Sequence, residues 1–241
     1  PAANVTVRGE VFTAADGSLA VAWIFGLADG WHLYADLLND SGYPPSITWQ
    51  LPEGWTAGPL RWPVPARHVM PGDILDHVYE GALVLEQALT APGGRRPDAD
   101  TTLQAKVAWL ACRSECVPGQ AQVTVTVPGG QAPLPRPVDL PQLAWPTALP
   151  AGAATVTQAS GRIIITAPGA RALRFFPSPG SGPFVDLGVD GEAEGDTLVL
   201  RLRPSPSSAP PRCAGLLQIE GKDGAVLTGP FDCLDPNNHG G

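Results

Sequence analysis

The chain has 241 residues, of which 44% are hydrophobic and only 16% charged, and a net charge of −8. Its fifteen basic residues include just two lysines, Lys106 and Lys222, and form no basic run, which argues against a nucleic-acid surface. No apolar stretch reaches the ~18 residues of a membrane span, and 28 Gly and 28 Pro with so few charges favour short strands and many turns over helices.

Pro1 opens without a signal peptide and runs at once into the strand-like Asn4-Val5-Thr6-Val7, as expected of a mature or excised segment. Gly17 and Gly30 punctuate a strand over Leu19–Phe25. In a later strand Leu83, Leu85 and Leu89 alternate with Val84, Glu86 and Ala88. The most informative stretch follows. Leu103, Ala105, Val107 and Trp109 alternate with Gln104, Lys106 and Ala108; after a break, Val123, Val125 and Val127 alternate with Gln122, Thr124 and Thr126. Period two on both sides predicts two half-buried strands of one hairpin. With Arg113-Ser114-Glu115 as its loop, Cys112 and Cys116 stand directly opposite each other, within the Cβ separation a disulfide needs. So small a ring contributes only about 2 kcal/mol in the chain-entropy model. Two readings stand for the pair: a small structural disulfide of an exported β protein, or a labile, redox-active one, since strained and exposed disulfides are the catalytic kind.

Residues 1–130 thus read as one β domain. The stretch 131–151 carries Pro133, Pro135, Pro137, Pro141, Pro146 and Pro150, a density that precludes regular structure and reads as a semi-rigid linker. Residues 152–241 read as a second β domain, with strands at Arg162–Thr166, Leu173–Phe176, Thr197–Leu202, Leu216–Glu220 and Ala225–Leu227 and a loop at Pro204–Pro211. Lys222-Asp223-Gly224 is a hairpin turn. Cys213 and Cys233 each lie ten residues from Asp223, which sets them opposite one another. Their larger ring is worth about 3 kcal/mol and reads as a structural staple. No helical period is sustained anywhere, so the expected fold class is all-β, two sandwich-like domains joined by the Pro-rich linker. Four cysteines in two close pairs suit an oxidising compartment. Zinc would need four converging ligands, and C-x3-C is not the usual zinc knuckle.

Further motifs flank the hairpin in order: Asp29-Gly30-Trp31-His32-Leu33-Tyr34, Asp40-Ser41-Gly42-Tyr43-Pro44-Pro45, Trp49-Gln50-Leu51-Pro52-Glu53-Gly54-Trp55, Gly58-Pro59-Leu60-Arg61-Trp62-Pro63, His77-Val78-Tyr79-Glu80-Gly81, and Trp109 through Pro118. In this order and spacing, residues 1–130 resemble the periplasmic N-terminal domain of the DsbD-like thiol:disulfide reductases, in particular the ScsB branch. DsbD itself spaces its cysteines more widely than the three residues found here. The resemblance implies immunoglobulin-like domains, with a second one over 152–241. It implies a protein-disulfide reductase module in the periplasm, part of or associated with an inner-membrane protein. Electrons would pass from a membrane-embedded reductase domain to thioredoxin-like or peroxiredoxin-like partners, without a cofactor. By position Cys116 carries the intermolecular disulfide and Cys112 resolves it.

Relatives place a cap loop over the disulfide. The corresponding segment lies between Arg67 and Tyr79, with His68, Met70 and Ile74 as candidate shields and ordinary packing as the alternative. Asp73 and Asp76 are candidate proton donors or plain loop carboxylates. His32 and Tyr34 read first as strand packing, and Tyr79 and Glu80 as turn and edge residues or the border of the site. Two rival functions remain open. Copper(I) binding would use His68, Met70, His77, Cys112 and Cys116. A purely structural or adhesive sandwich would keep its hairpin disulfide closed. No G-x-S-x-G elbow and no phosphate-binding glycine loop is present, which argues against hydrolase and nucleotide chemistry.

Overall fold

The computed structural model describes residues 4–138, 140–204 and 211–235. Among them the chain is all-β apart from one 3-10 turn and the four-residue helix α1 (Leu187–Asp190), and no helix is long and apolar enough to cross a membrane. It separates into two compact units. The first comprises the chain up to Ala35, Tyr43–Pro65 and Val78–Ala144; the second comprises Asp36–Gly42, Ala66–His77 and the chain from Trp145 onward.

The first unit contains β1 (Val5–Thr13), β2 (Leu19–Leu27), β3 (His32–Tyr34), β4 (Ser46–Gln50) and β5 (Thr56–Arg61). It also holds the end of β7 (Ile74–Glu80), then β8 (Ala82–Thr90), β9 (Thr101–Cys112) and β10 (Cys116–Val127). One antiparallel sheet has the order β1-β2-β8-β5; the other runs β10-β9-β3-β7, with β4 also paired to β9. The layer between them holds Trp23, Phe25, Leu33, Leu83, Leu85, Leu103 and Val107, all fully buried. The rings of Phe25 and Trp109 meet edge to face at 6.3 Å. The indoles of Trp23 and Trp49 lie 5.0 Å apart, and both donate to Gln87 Oε1, at 3.2 and 2.9 Å. That shared acceptor explains how a buried indole, a half-buried one and a buried amide coexist.

The first sheet is covered on its other face as well. Phe12, Ala20, Ala22, Ile24 and Val84 form a second apolar cluster against the half-buried Leu140 and Leu143 of the Pro-rich stretch. That stretch has no strand among its described residues, but it is tied down through 144. Thr13 and Leu134 exchange hydrogen bonds, and Val64 N donates to Ala144 O at 2.7 Å. Arg136 lies 4.9 Å over the Phe12 ring and pairs with Glu86. Glu86, 6% exposed, also takes Arg61 at 3.1 Å.

The second unit contains β6 (Ala66–Met70), the start of β7, β11 (Thr155–Ala159), β12 (Arg162–Thr166), β13 (Ala170–Pro177), β14 (Glu192–Glu194), β15 (Thr197–Arg201), β16 (Ala214–Gly221) and β17 (Val226–Asp232). Its sheets have the orders β11-β12-β15 and β14-β13-β16-β17. Ile163, Ile165, Leu173, Phe175, Leu198, Leu200 and Leu217 fill its core together with Cys213 and Cys233. The short β11 and β14 carry no strong pattern of their own and are held by pairing with β12 and β13. Of the loop expected at Pro204–Pro211, residues 205–210 lie outside the described residues.

The segment expected as a cap loop forms a β-hairpin. β6 and β7 are neighbours, joined through Gly72 (φ 92°) and Asp73 (φ 60°), which supply the left-handed turn. Its anchorage is within the second unit. Asp76, fully buried, accepts from Asp40 N, Ser41 N and Ser41 Oγ. Arg67 donates to Leu187 O at 2.6 Å and pairs with Glu192 at 2.8 Å. Leu38 N donates to Pro177 O.

Candidate active site

β9 and β10 pair in unbroken antiparallel register from Thr101↔Val127 to Cys112↔Cys116. Along β9, Leu103, Ala105, Val107, Trp109 and Ala111 point into the core while Thr102, Gln104 and Lys106 face out, the alternation read from the sequence. Because both strands run to the very end of the hairpin, the two cysteines are the last register pair. Arg113-Ser114-Glu115 closes the turn, with Arg113 N donating to Glu115 O at 3.0 Å. Cys112 and Cys116 are joined by a disulfide with a Cα separation of 4.1 Å.

The two sulfur-bearing residues are not equivalent. Cys112 is 3% exposed and Cys116 is on the surface. Cys112 belongs to a small apolar cluster on the outer face of its sheet, with Tyr34, Val78 and the half-buried Leu110. The Tyr34 hydroxyl lies 3.8 Å from Cys116 Sγ, and the Tyr34 and His32 rings meet edge to face at 5.3 Å. The strand that brings them is β3, only three residues long: His32 pairs with Cys112 and Leu33 with Ala111.

The turn is braced from the side. The Arg113 guanidinium sits 5.4 Å over the Trp31 ring, and Gly30, at φ 76°, leaves room for its stem, since a Cβ there would lie 3.2 Å from Arg113 Cδ. Across the hairpin the Trp109 indole lies directly on Gly119, where any Cβ would collide with the ring. Trp109 Nε1 is buried there with no hydrogen-bond partner among the described residues. The described residues of this unit include no α-helix, so no helix dipole aids a thiolate. A thiolate at Cys116 would have the Tyr34 hydroxyl as a donor, with Arg113 and Glu115 of the adjoining turn contributing opposite charges.

The remaining candidates belong to the second unit. Cys213 and Cys233 form the second disulfide, 0% and 2% exposed, with Cys233 N donating to Cys213 O at 2.8 Å as the last rung of the β16–β17 hairpin. His68, Met70 and Ile74 lie half-buried on the β6–β7 hairpin of the second unit, with Asp73 exposed at its tip. Asp76 accepts from three donors and so latches the 40–41 backbone to β7. His77 is fully buried; its Nδ1 is 2.8 Å from Leu38 O, and burial pushes its pKa down to about 4. Among the described residues no three His, Cys, Asp or Glu side chains are grouped to hold a metal.

The place of His32 beside Cys112 and the need for glycine at 119 escaped the sequence reading. A three-residue strand is too short to show a period. The signal available was the Trp31-His32-Leu33-Tyr34 motif itself, whose alternation puts His32 and Tyr34 on one face.

The sequence family described as the N-terminal region of the thiol:disulfide interchange protein DsbD matches residues 3–128. Among solved structures, the N-terminal periplasmic domain of ScsB from Proteus mirabilis aligns with a TM-score of 0.61 at 14% identity, covering 95% of this chain and 93% of that one. The DsbD N-terminal domain of Neisseria meningitidis in its reduced form aligns over 51% of this chain and 86% of that one, at 13% identity and a TM-score of 0.35. No curated protein matches by sequence. The ScsB likeness extends over both units and is one of fold.

Proposed function

Because this chain belongs to the family of DsbD N-terminal domains, a thiol–disulfide exchange module, we propose that it works in the periplasm as a protein-disulfide reductase through Cys112 and Cys116. The observation that carries the reading is the asymmetry of the pair, one sulfur-bearing residue on the surface and the other buried beside it. Exchange proceeds at the sulfur a partner can reach. In the reduced module the Cys116 thiolate attacks a partner disulfide, forming a mixed disulfide and releasing one partner thiolate. Cys112, held as the register neighbour of Cys116, then attacks Cys116 Sγ. That closes the Cys112–Cys116 bond and releases the second partner thiolate, so two electrons have passed to the partner, whose thiolates take up protons equal to those the module's two thiols gave up. The Tyr34 hydroxyl is placed to donate to a Cys116 thiolate.

The donor that resets the pair is, in this reading, a membrane-embedded reductase domain of the same family, and the acceptors are thioredoxin-like or peroxiredoxin-like periplasmic proteins. The module is part of, or associated with, an inner-membrane protein. Cys213–Cys233 takes no part and staples the second unit. His68, Met70 and Ile74 limit oxidation of the reduced pair, so that Met70→Ala speeds its reaction with hydrogen peroxide; an unchanged rate removes this role.

The deciding experiment is a titration in defined dithiol/disulfide buffers with alkylation and mass mapping of each cysteine. Exchange requires Cys112–Cys116 to titrate reversibly near the potentials of thioredoxin-like proteins while Cys213–Cys233 stays closed. A hairpin pair that resists reduction below about −300 mV would instead be structural.

A further inference from the structure

The two register partners of β3 place four side chains in one row across the outer face of the sheet. Glu80 on β7 pairs with His32 on β3, His32 with Cys112 on β9, and Cys112 with Cys116 on β10. Directly opposed residues of antiparallel strands point to the same face, with Cβ atoms about 5 Å apart. The row therefore reads carboxylate, imidazole, thiol, thiol. Leu33, Tyr79 and Ala111, one residue along, are buried on the opposite, core face. His32 is 6% exposed and Glu80 is on the surface.

We propose that His32 takes the proton of Cys112 when Cys112 resolves a mixed disulfide held on Cys116, with Glu80 orienting the imidazole. This rests on the exchange reading given above. The physical need is specific to Cys112. Once reduced, its thiol sits among Val78, Leu110 and the Tyr34 ring, a setting that disfavours a bare thiolate. Only the thiolate attacks. A neighbouring imidazole removes the obstacle by accepting the proton and leaving an imidazolium beside the thiolate. Cys112 S⁻ then forms its bond to Cys116 Sγ, the Cys116–partner bond breaks, and the departing partner thiolate takes up a proton from the imidazolium or from water. Among the described residues, the charged and titratable groups in the row of His32 or flanking it are Glu80 on β7, Tyr34 on β3, Cys112 and Cys116, and Arg113 and Glu115 of the hairpin turn, while Tyr79 lies on the opposite face of β7 and Asp76, His77 and Lys106 lie further along their strands. Tyr34 faces Cys116 and serves the first step; His32 pairs with Cys112 and serves the second.

The test separates the two steps. The reduced protein is treated with oxidised glutathione, quenched in acid at intervals and followed by mass. Formation of the adduct on Cys116 reports the first step and its loss on disulfide closure the second. Cys112→Ser should accumulate a stable adduct. His32→Gln should form it at nearly the parental rate but lose it on the order of 100-fold more slowly at pH 7, recovering as the pH approaches that of the thiol's own ionisation. Glu80→Gln, at an exposed position that spares the fold, should move the midpoint of the release profile to lower pH. Unchanged release and profile in both His32→Gln and Glu80→Gln overturn the assignment while leaving the exchange reading intact. No adduct in the parent or in Cys112→Ser overturns both.

Discussion

His77 gives the sharpest quantitative expectation. It is fully buried in the second unit, with Nδ1 2.8 Å from Leu38 O, so that Nδ1–H donates and Nε2 is the bare nitrogen. Nε2 has no hydrogen-bond partner among the described residues, and the Arg67 charge also opposes a second proton. Burial, the larger cause, brings its pKa to about 4 from the usual 6.5. The folded state therefore keeps His77 neutral where the unfolded chain takes up a proton. Its contribution to stability is complete above pH 6.5 and is lost as the pH falls toward 4. By proton linkage the loss is about 2 kcal/mol at pH 5 and about 3 kcal/mol at pH 4. The perturbation is His77→Gln, whose amide still donates to Leu38 O but does not titrate. Tryptophan fluorescence is the wrong probe, because Trp145 alone of the seven tryptophans lies in the second unit. Hydrogen exchange read on β12 and β13 peptides reports that unit directly. Between pH 7 and pH 5 the parent should lose about 2 kcal/mol more protection free energy than the variant. Parallel pH curves would refute the reasoning and mean that a proton on Nε2 finds an acceptor in the folded unit.

Other expectations follow from particular contacts. Replacing both Cys213 and Cys233 by serine should destabilise the second unit by about 3 kcal/mol while leaving the thiol chemistry of Cys112 and Cys116 untouched, as checked by urea unfolding and alkylation. Gly119→Ala drives a methyl into the Trp109 indole, so a loss of about 1–3 kcal/mol and a shifted indole spectrum are expected in the first unit. Arg136→Ala removes one of the two partners of the buried Glu86 and the cation over Phe12. With the guanidinium half-exposed the loss should be about 1 kcal/mol, and limited proteolysis within 131–144 should quicken.

What the sequence determined by itself was local. Period-two alternation over Leu103–Trp109 and again over Gln122–Val127, with Arg113-Ser114-Glu115 as the loop between them, sets one register for β9 and β10, and with it one pairing of the cysteines. The equal distances of Cys213 and Cys233 from Asp223 do the same for β16 and β17. Both are hairpins, whose partner strands are set by a turn a few residues away. The tertiary structure decided everything that depends on distant segments. β3 is too short to carry a pattern, yet its pairing with β9 and β7 is what places His32 between Glu80 and Cys112. The outer faces of β2 and β8 read as ordinary strand surface until Leu140 and Leu143 come to lie on them. The segments 36–42 and 66–77 interrupt the first unit in sequence, but their backbone and side-chain bonds, through Asp76, Arg67 and Leu38, are made within the second. Hydrogen-bonding demand at buried groups such as Asp76 and Gln87 is met by whichever partners the closed fold brings near, and no spacing along the chain records that choice.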